Sequence, residues 1–195
     1  MPSSMLVHDT RLSGTAPAIA PNTYRINGSV HLSDALAWIA TYARMNKGLS
    51  QLSIMCHGYE GGVHDSRAGV STMDLGFGLQ FCREGLTRSN VEQARRLDGL
   101  VELIILYACG PAKTRSGLEG SSGDGREFCR ELACSTGAEV LAAVETQYYL
   151  KEPRSGIIKR LFRIGADDTI NFGNWEGQLY RFSPDGTVMR TVGYW

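Results

Sequence analysis

Two short pairs in this chain combine residue types suited to covalent chemistry: His57-Gly58 and Ala108-Cys109. A free thiol near its reference pKa of about 8.5 is mostly protonated at neutral pH. An imidazole beside it can take that proton or, once charged, stabilise the thiolate. The expected reaction is attack by the Cys109 thiolate on a carbonyl carbon, with His57 as general acid/base. Gly58 has no Cβ, so a substrate carbonyl can approach its backbone. Its N–H and that of Cys109 form the candidate oxyanion hole.

Elements must bring these pairs together. The run LSIMC (52–56) has strand character and breaks at HGYEGG, where three glycines interrupt it. The run LIILY (103–107) is apolar on both alternating faces, as in a central strand covered on both sides, and ends at ACGP. Around them the pattern predicts a helix from Leu32 to the region of Gly48, with Ser33 as N-cap, and a hairpin or extended edge piece over 75–86. It also predicts a helix opening at SNVE, read as a capping box with Glu92. A further helix is expected over 126–135 and a strand over 139–144. Strands alternating with helices imply an α/β fold with a mostly parallel sheet flanked by helices on its faces. In such sheets functional groups gather beyond the carboxyl ends of the strands. Right-handed crossovers then set the two strand tips side by side, about 4.8 Å apart.

A strand ending in HG, a hairpin, a helix and a strand ending in AC resembles the caspase-like superfamily of cysteine peptidases. That group includes the gingipains, clostripain, legumains, separases and the self-processing cysteine protease domains of bacterial toxins. The resemblance spans about residues 32–148 and implies a peptide-bond hydrolase, self-processing being one form of that activity. It implies His57 as base and Cys109 as nucleophile, a peptide or protein substrate, and a pocket near the hairpin LQFCREGLT and the strand that follows the 126–135 helix. No cofactor is implied for hydrolysis, although some toxin domains need an inositol phosphate activator. No basic cluster in this chain points to one.

Other residues have chemistry to offer beside these. Glu145, Thr146 and Gln147 follow the 139–144 strand and are candidates for the substrate pocket, Glu145 favouring a basic residue before the scissile bond. His64 is a rival base. Asp124 suits the N-cap of the following helix better than a third catalytic position. Cys56 should point away from His57 into packing, and Cys82, Cys129 and Cys134 read as core filling. Two other functions stay open. Five residues separate Cys109 from Arg115, the spacing of a tyrosine-phosphatase loop, although Ala112 and Pro111 depart from that signature. A catalytically inactive scaffold or interaction module is the third reading.

Length and composition bound the rest. The 195 residues suit a single domain, with a weakly patterned stretch over 1–30, where 6–9 and 23–26 are short strand candidates. The tail over 166–195 should be a β-hairpin turning at Pro184-Asp185-Gly186. Twenty basic residues balance twenty acidic ones, so charge gives no reason to expect nucleic acid or an anionic membrane as partner. No apolar run reaches the roughly 20 residues that span a bilayer, and no signal peptide is evident. A cytoplasmic location is the expectation. An odd count of five cysteines, with no CxxC, argues against a disulfide framework or a zinc site, so no metal is expected.

Overall fold

The computed structural model describes residues 3–59, 78–114, 119–120, 123–147, 149–152, 168–171 and 175–191. In chain order the elements begin with β1 (Ser3–Asp9), β2 (Asn22–Ile26), α1 (Leu32–Met45), β3 (Leu49–Met55), β4 (His57–Tyr59), β5 (Gly78–Gln80) and β6 (Leu86–Thr87). A 3-10 helix (Val91–Leu97), β7 (Leu103–Tyr107), α2 (Gly125–Thr136) and β8 (Glu139–Ala143) follow. The last are β9 (Leu150–Glu152), β10 (Thr169–Asn171), β11 (Leu179–Phe182) and β12 (Val188–Thr191).

Seven strands form one sheet in the order β12-β11-β8-β7-β3-β1-β2. The five from β8 to β2 run parallel, while β11 lies antiparallel on β8 and β12 on β11. The protein is therefore α/β with a mostly parallel sheet. Side chains alternate across it. Met5, Val7, Leu52, Ile54, Ile104, Leu106, Val140 and Ala142 join the main core on one face. That face takes the apolar sides of α1, the 3-10 helix and α2, through Leu36, Ile39, Val91, Leu97, Phe128 and Leu132 among others. Leu6, Met55, Ile105 and Leu141 point to the other face. There the partners are Leu12, Ile170, Leu179 and Trp175. The expectation of helices on both faces is corrected accordingly: among the described residues the helices occupy one face, and loops with the small β9–β10 pair cover the other.

Strand order explains this asymmetry. From β1 the chain steps outward to β2, then returns past β1 to β3 and continues to β7 and β8. Right-handed crossovers moving in opposite directions must cross opposite faces. The β1–β2 connection accordingly packs Leu12, Ala16 and Ala20 on the face without helices. The loops leaving β1 and β3 thus cross opposite faces of the sheet.

Several local expectations change with tertiary context. The weakly patterned N-terminal stretch contains β1, an interior strand whose last five residues are all buried. Helix α1 opens after His31 rather than Ser33, and its Leu32 N–H is capped at 2.8 Å by the Glu84 carboxylate, 52 residues away. SNVE does not form a capping box. Asn90 instead accepts from the Thr87 N–H at 2.9 Å, and the helix is 3-10 because its buried residues Val91, Ala94 and Leu97 recur every third position. The C-terminal hairpin is present, and it is an integral part of the main sheet rather than an appended tail.

Candidate active site

The site is built from the ends of two adjacent parallel strands. Met55 of β3 pairs with Tyr107 of β7, and the Cys56 N–H donates to the Tyr107 carbonyl at 3.2 Å, extending the ladder one residue. Cys56 and Ala108 are both buried in the helix-side core. His57 and Cys109 come next, each two residues beyond its strand; the His57 ring reaches the Arg11 carbonyl and the Cys109 sulfur the Gln147 carbonyl. His57 then opens β4, which pairs with β5 through His57–Gln80 and Gly58–Leu79. A small three-stranded sheet, β4-β5-β6, thus holds the histidine segment from outside the main sheet.

Gly58 lies directly against the thiol-bearing residue. A Cβ built on it would collide with the Cys109 carbonyl oxygen and stand 2.8 Å from the Cys109 nitrogen. Only glycine permits this approach. It brings together the main chains of both candidate oxyanion-hole residues, Gly58 and Cys109.

Cys109 is half-buried, and its thiol donates to the Gln147 carbonyl at 3.6 Å. The Gly110 N–H donates to the Glu145 carbonyl at 3.0 Å, so the segment after β8 runs beside the thiol. All three pocket candidates fall there, in different settings. Glu145 is exposed and its stem packs on Gly177, while Thr146 is half-buried. Gln147 is 2% exposed, and its amide joins two chain segments. It donates to the Glu145 and Glu176 carbonyls at 3.0 and 2.9 Å and accepts from the Glu176 N–H at 3.1 Å. Its side chain braces the wall beside the sulfur. On the same face Tyr107 stacks on Trp175 with centroids 5.0 Å apart, and burial pushes the Tyr107 phenol up.

His57 is half-buried, with Nε2 3.3 Å from the Arg11 carbonyl in the β1–β2 connection. A carbonyl only accepts, so this bond requires the proton on Nε2, and in the neutral ring the lone pair is then on Nδ1. Beside that carbonyl β1 ends in a buried histidine, His8, and a buried carboxylate, Asp9, which pairs with the partly exposed Arg11 of the connection. None of these three was singled out from the sequence. The available signal was Asp-x-Arg at the tip of a strand next to the candidate base.

The remaining thiols divide by environment. Burial pushes the Cys56 and Cys129 thiols far up, and chiefly burial, with the Asp9 carboxylate second, pushes Cys82 up to about 12. Such thiols are poor nucleophiles at neutral pH. Cys134 corrects the sequence reading. It is exposed on the outer side of α2, its sulfur 3.3 Å from the Pro184 carbonyl. Asp124 caps α2, accepting from the Arg126 and Glu127 N–H groups at 3.1 Å each. His64 and Arg115 lie outside the described residues. Just after Cys109 three N–H groups are taken up by carbonyls: Gly110 by Glu145, Ala112 by Ala143 and Lys113 by Gly110.

Among the described residues no group of three or more His, Cys, Asp or Glu stands together as a metal site, and no helix is long and apolar enough to cross a membrane. No family model, curated protein or solved structure matches the chain.

Proposed function

We propose that this protein is a cysteine endopeptidase of the caspase-like type, acting through His57 and Cys109. The observation that supports the reading is the packing of Gly58 on the Cys109 main chain, just past the paired ends of β3 and β7. In the first step the Cys109 proton passes to His57 Nδ1 and the thiolate attacks the scissile carbonyl carbon. Negative charge on the carbonyl oxygen is met by the Gly58 and Cys109 amides. The tetrahedral adduct collapses as His57 gives its proton to the leaving amine, which leaves a thioester on Cys109. Water, deprotonated by His57, then releases the acid and restores the thiol. Substrates are peptides or proteins, seated along the segment of Glu145 and Thr146, and no cofactor takes part.

The amides of Gly110, Ala112 and Lys113, already bonded to carbonyls, support this reading over phosphate transfer, because a phosphate cradle needs such N–H groups aimed at the anion. The test uses a Cys134→Ser background, so that Cys134 does not take up label. Cys109 should be the thiol that iodoacetamide modifies selectively, and a peptide library should be cleaved. Cys109→Ala and His57→Ala should each lower cleavage by at least about a thousandfold. No cleavage of any peptide, together with unselective labelling, would make the chain a scaffold. Turnover of an aryl phosphate that Arg115→Ala abolishes would make it a phosphatase.

A further inference from the structure

We propose that Asp9, acting through Arg11, is a positioning residue that fixes the tautomer and direction of the His57 imidazole. The inference rests on the reading of His57 as the general acid/base.

Asp9 ends β1 with its carboxylate completely buried. One oxygen accepts from the Arg11 main-chain N–H at 3.1 Å and from its Nε at 2.9 Å. The other accepts from an Arg11 terminal nitrogen at 2.6 Å and from the Cys82 N–H at 3.1 Å. The same Arg11 nitrogen donates to the Cys82 carbonyl at 2.6 Å. Both the backbone and the side chain of Arg11 are therefore gripped, which leaves its carbonyl aimed at His57 Nε2. The turn around it is closed as well. The Leu12 N–H donates to the Asp9 carbonyl at 3.0 Å, and His8 Nε2 donates to the Leu12 carbonyl at 2.8 Å.

This pair holds His57 from two directions. One runs through the Arg11 carbonyl to the imidazole. The other runs through Cys82, two residues past Gln80, which pairs with His57 in the β4–β5 ladder. Cys82 has a φ of 60°, uncommon for a residue with a side chain, and both of its main-chain polar groups are tied to the Asp9–Arg11 pair. A buried carboxylate spent on a strained turn and a carbonyl facing the base is what preorganising an imidazole requires.

Three measurements test this. Long-range proton–nitrogen correlation spectra of the wild-type protein should show His57 as the Nε2–H tautomer; the Nδ1–H tautomer would overturn the proposal without any variant. Arg11→Ala keeps the main-chain carbonyl and removes the side-chain clamp together with the counter-charge of Asp9. It should lower kcat by about tenfold or more, leave KM within about twofold, and displace the pH profile of Cys109 alkylation. The double variant Asp9→Asn/Arg11→Ala, which leaves no unpaired buried charge, should do no further harm, because the two act as a unit. Folded variants with wild-type kcat and an unchanged alkylation profile would overturn the clamp. His57→Ala run in parallel separates the two failures. If it too leaves that profile unchanged, the base assignment is what has failed.

Discussion

Around Cys109 the strictest demand falls on a residue without a side chain. Gly58 must let two main chains touch, and a methyl group there has to displace either β4 or the tip of β7. Gly58→Ala should cost about 1–3 kcal/mol in a urea titration, as overpacking does. It should also slow Cys109 alkylation by roughly a hundredfold if the pair works as proposed. Alkylation at the wild-type rate in a fully stable Gly58→Ala protein would mean that the approach of these chains has no bearing on the thiol. That the Cys109 main chain fills the room beside Gly58 follows only from the fold, while the missing Cβ after the histidine, taken as room for a substrate, was legible in the sequence. The roles of Asp9 and Arg11 were not, because their partners sit at Cys82 and His57, 73 and 46 residues from them.

Helix α2 shows how an element tethers the loop that follows the thiol. Asp124 accepts from Thr114 Oγ1 at 2.7 Å and the Gly120 N–H at 2.8 Å, besides the two N–H groups of the first helical turn. Burial alone would raise its carboxyl, but these four donors hold it below the usual carboxylate range. A pKa depressed in the folded state means that the stabilisation is complete above the unfolded value of about 3.9 and is lost as pH falls through the folded one. Asp124→Ala should therefore cost about 1–2 kcal/mol at pH 7, and its gap from wild type should shrink below about pH 4. Urea midpoints at pH 7 and pH 3 measure both, and an undiminished gap at pH 3 would contradict the assignment. Asp124 was recognisable as a cap because a cap bonds its own next two or three residues. The cap of α1 and the 3-10 form of the next helix were not legible, since Glu84 reaches Leu32 from another element and a three-residue apolar repeat selects the tighter helix.

At the scale of the whole molecule, the sheet is continuous from β2 to β12, and its C-terminal hairpin is load-sharing. Phe182 is fully buried in the helix-side core and pairs with Val140 of β8. Phe182→Ala should lower stability by about 3–5 kcal/mol and move the entire thermal transition, followed by circular dichroism. A separate early transition with the main one unmoved would indicate a hairpin that folds on its own. The pattern of residues 179–191 identified two strands and a turn, yet said nothing of their neighbour. Pairing with β8 is decided by which sheet edge is open, and that follows only from the order of the other strands.

Local physics in the chain itself settles a good deal: β7 from its doubly apolar run, α2 from its cap and apolar face, the parallel class from alternating elements, and His57-Gly58 and Cys109 at strand ends. These depend on the nearest few residues, where periodicity, capping and loss of a side chain act directly. Long-range packing decided the rest. It made β1 an interior strand although SSMLVHD mixes polar and apolar residues, because His8 and Asp9 are buried against partners elsewhere in the chain. It also left Cys134 outside, put the helices on one face, and set the Arg11 carbonyl against the imidazole. A residue's neighbours along the chain determine what element it prefers; only the closed sheet determines which distant groups it meets.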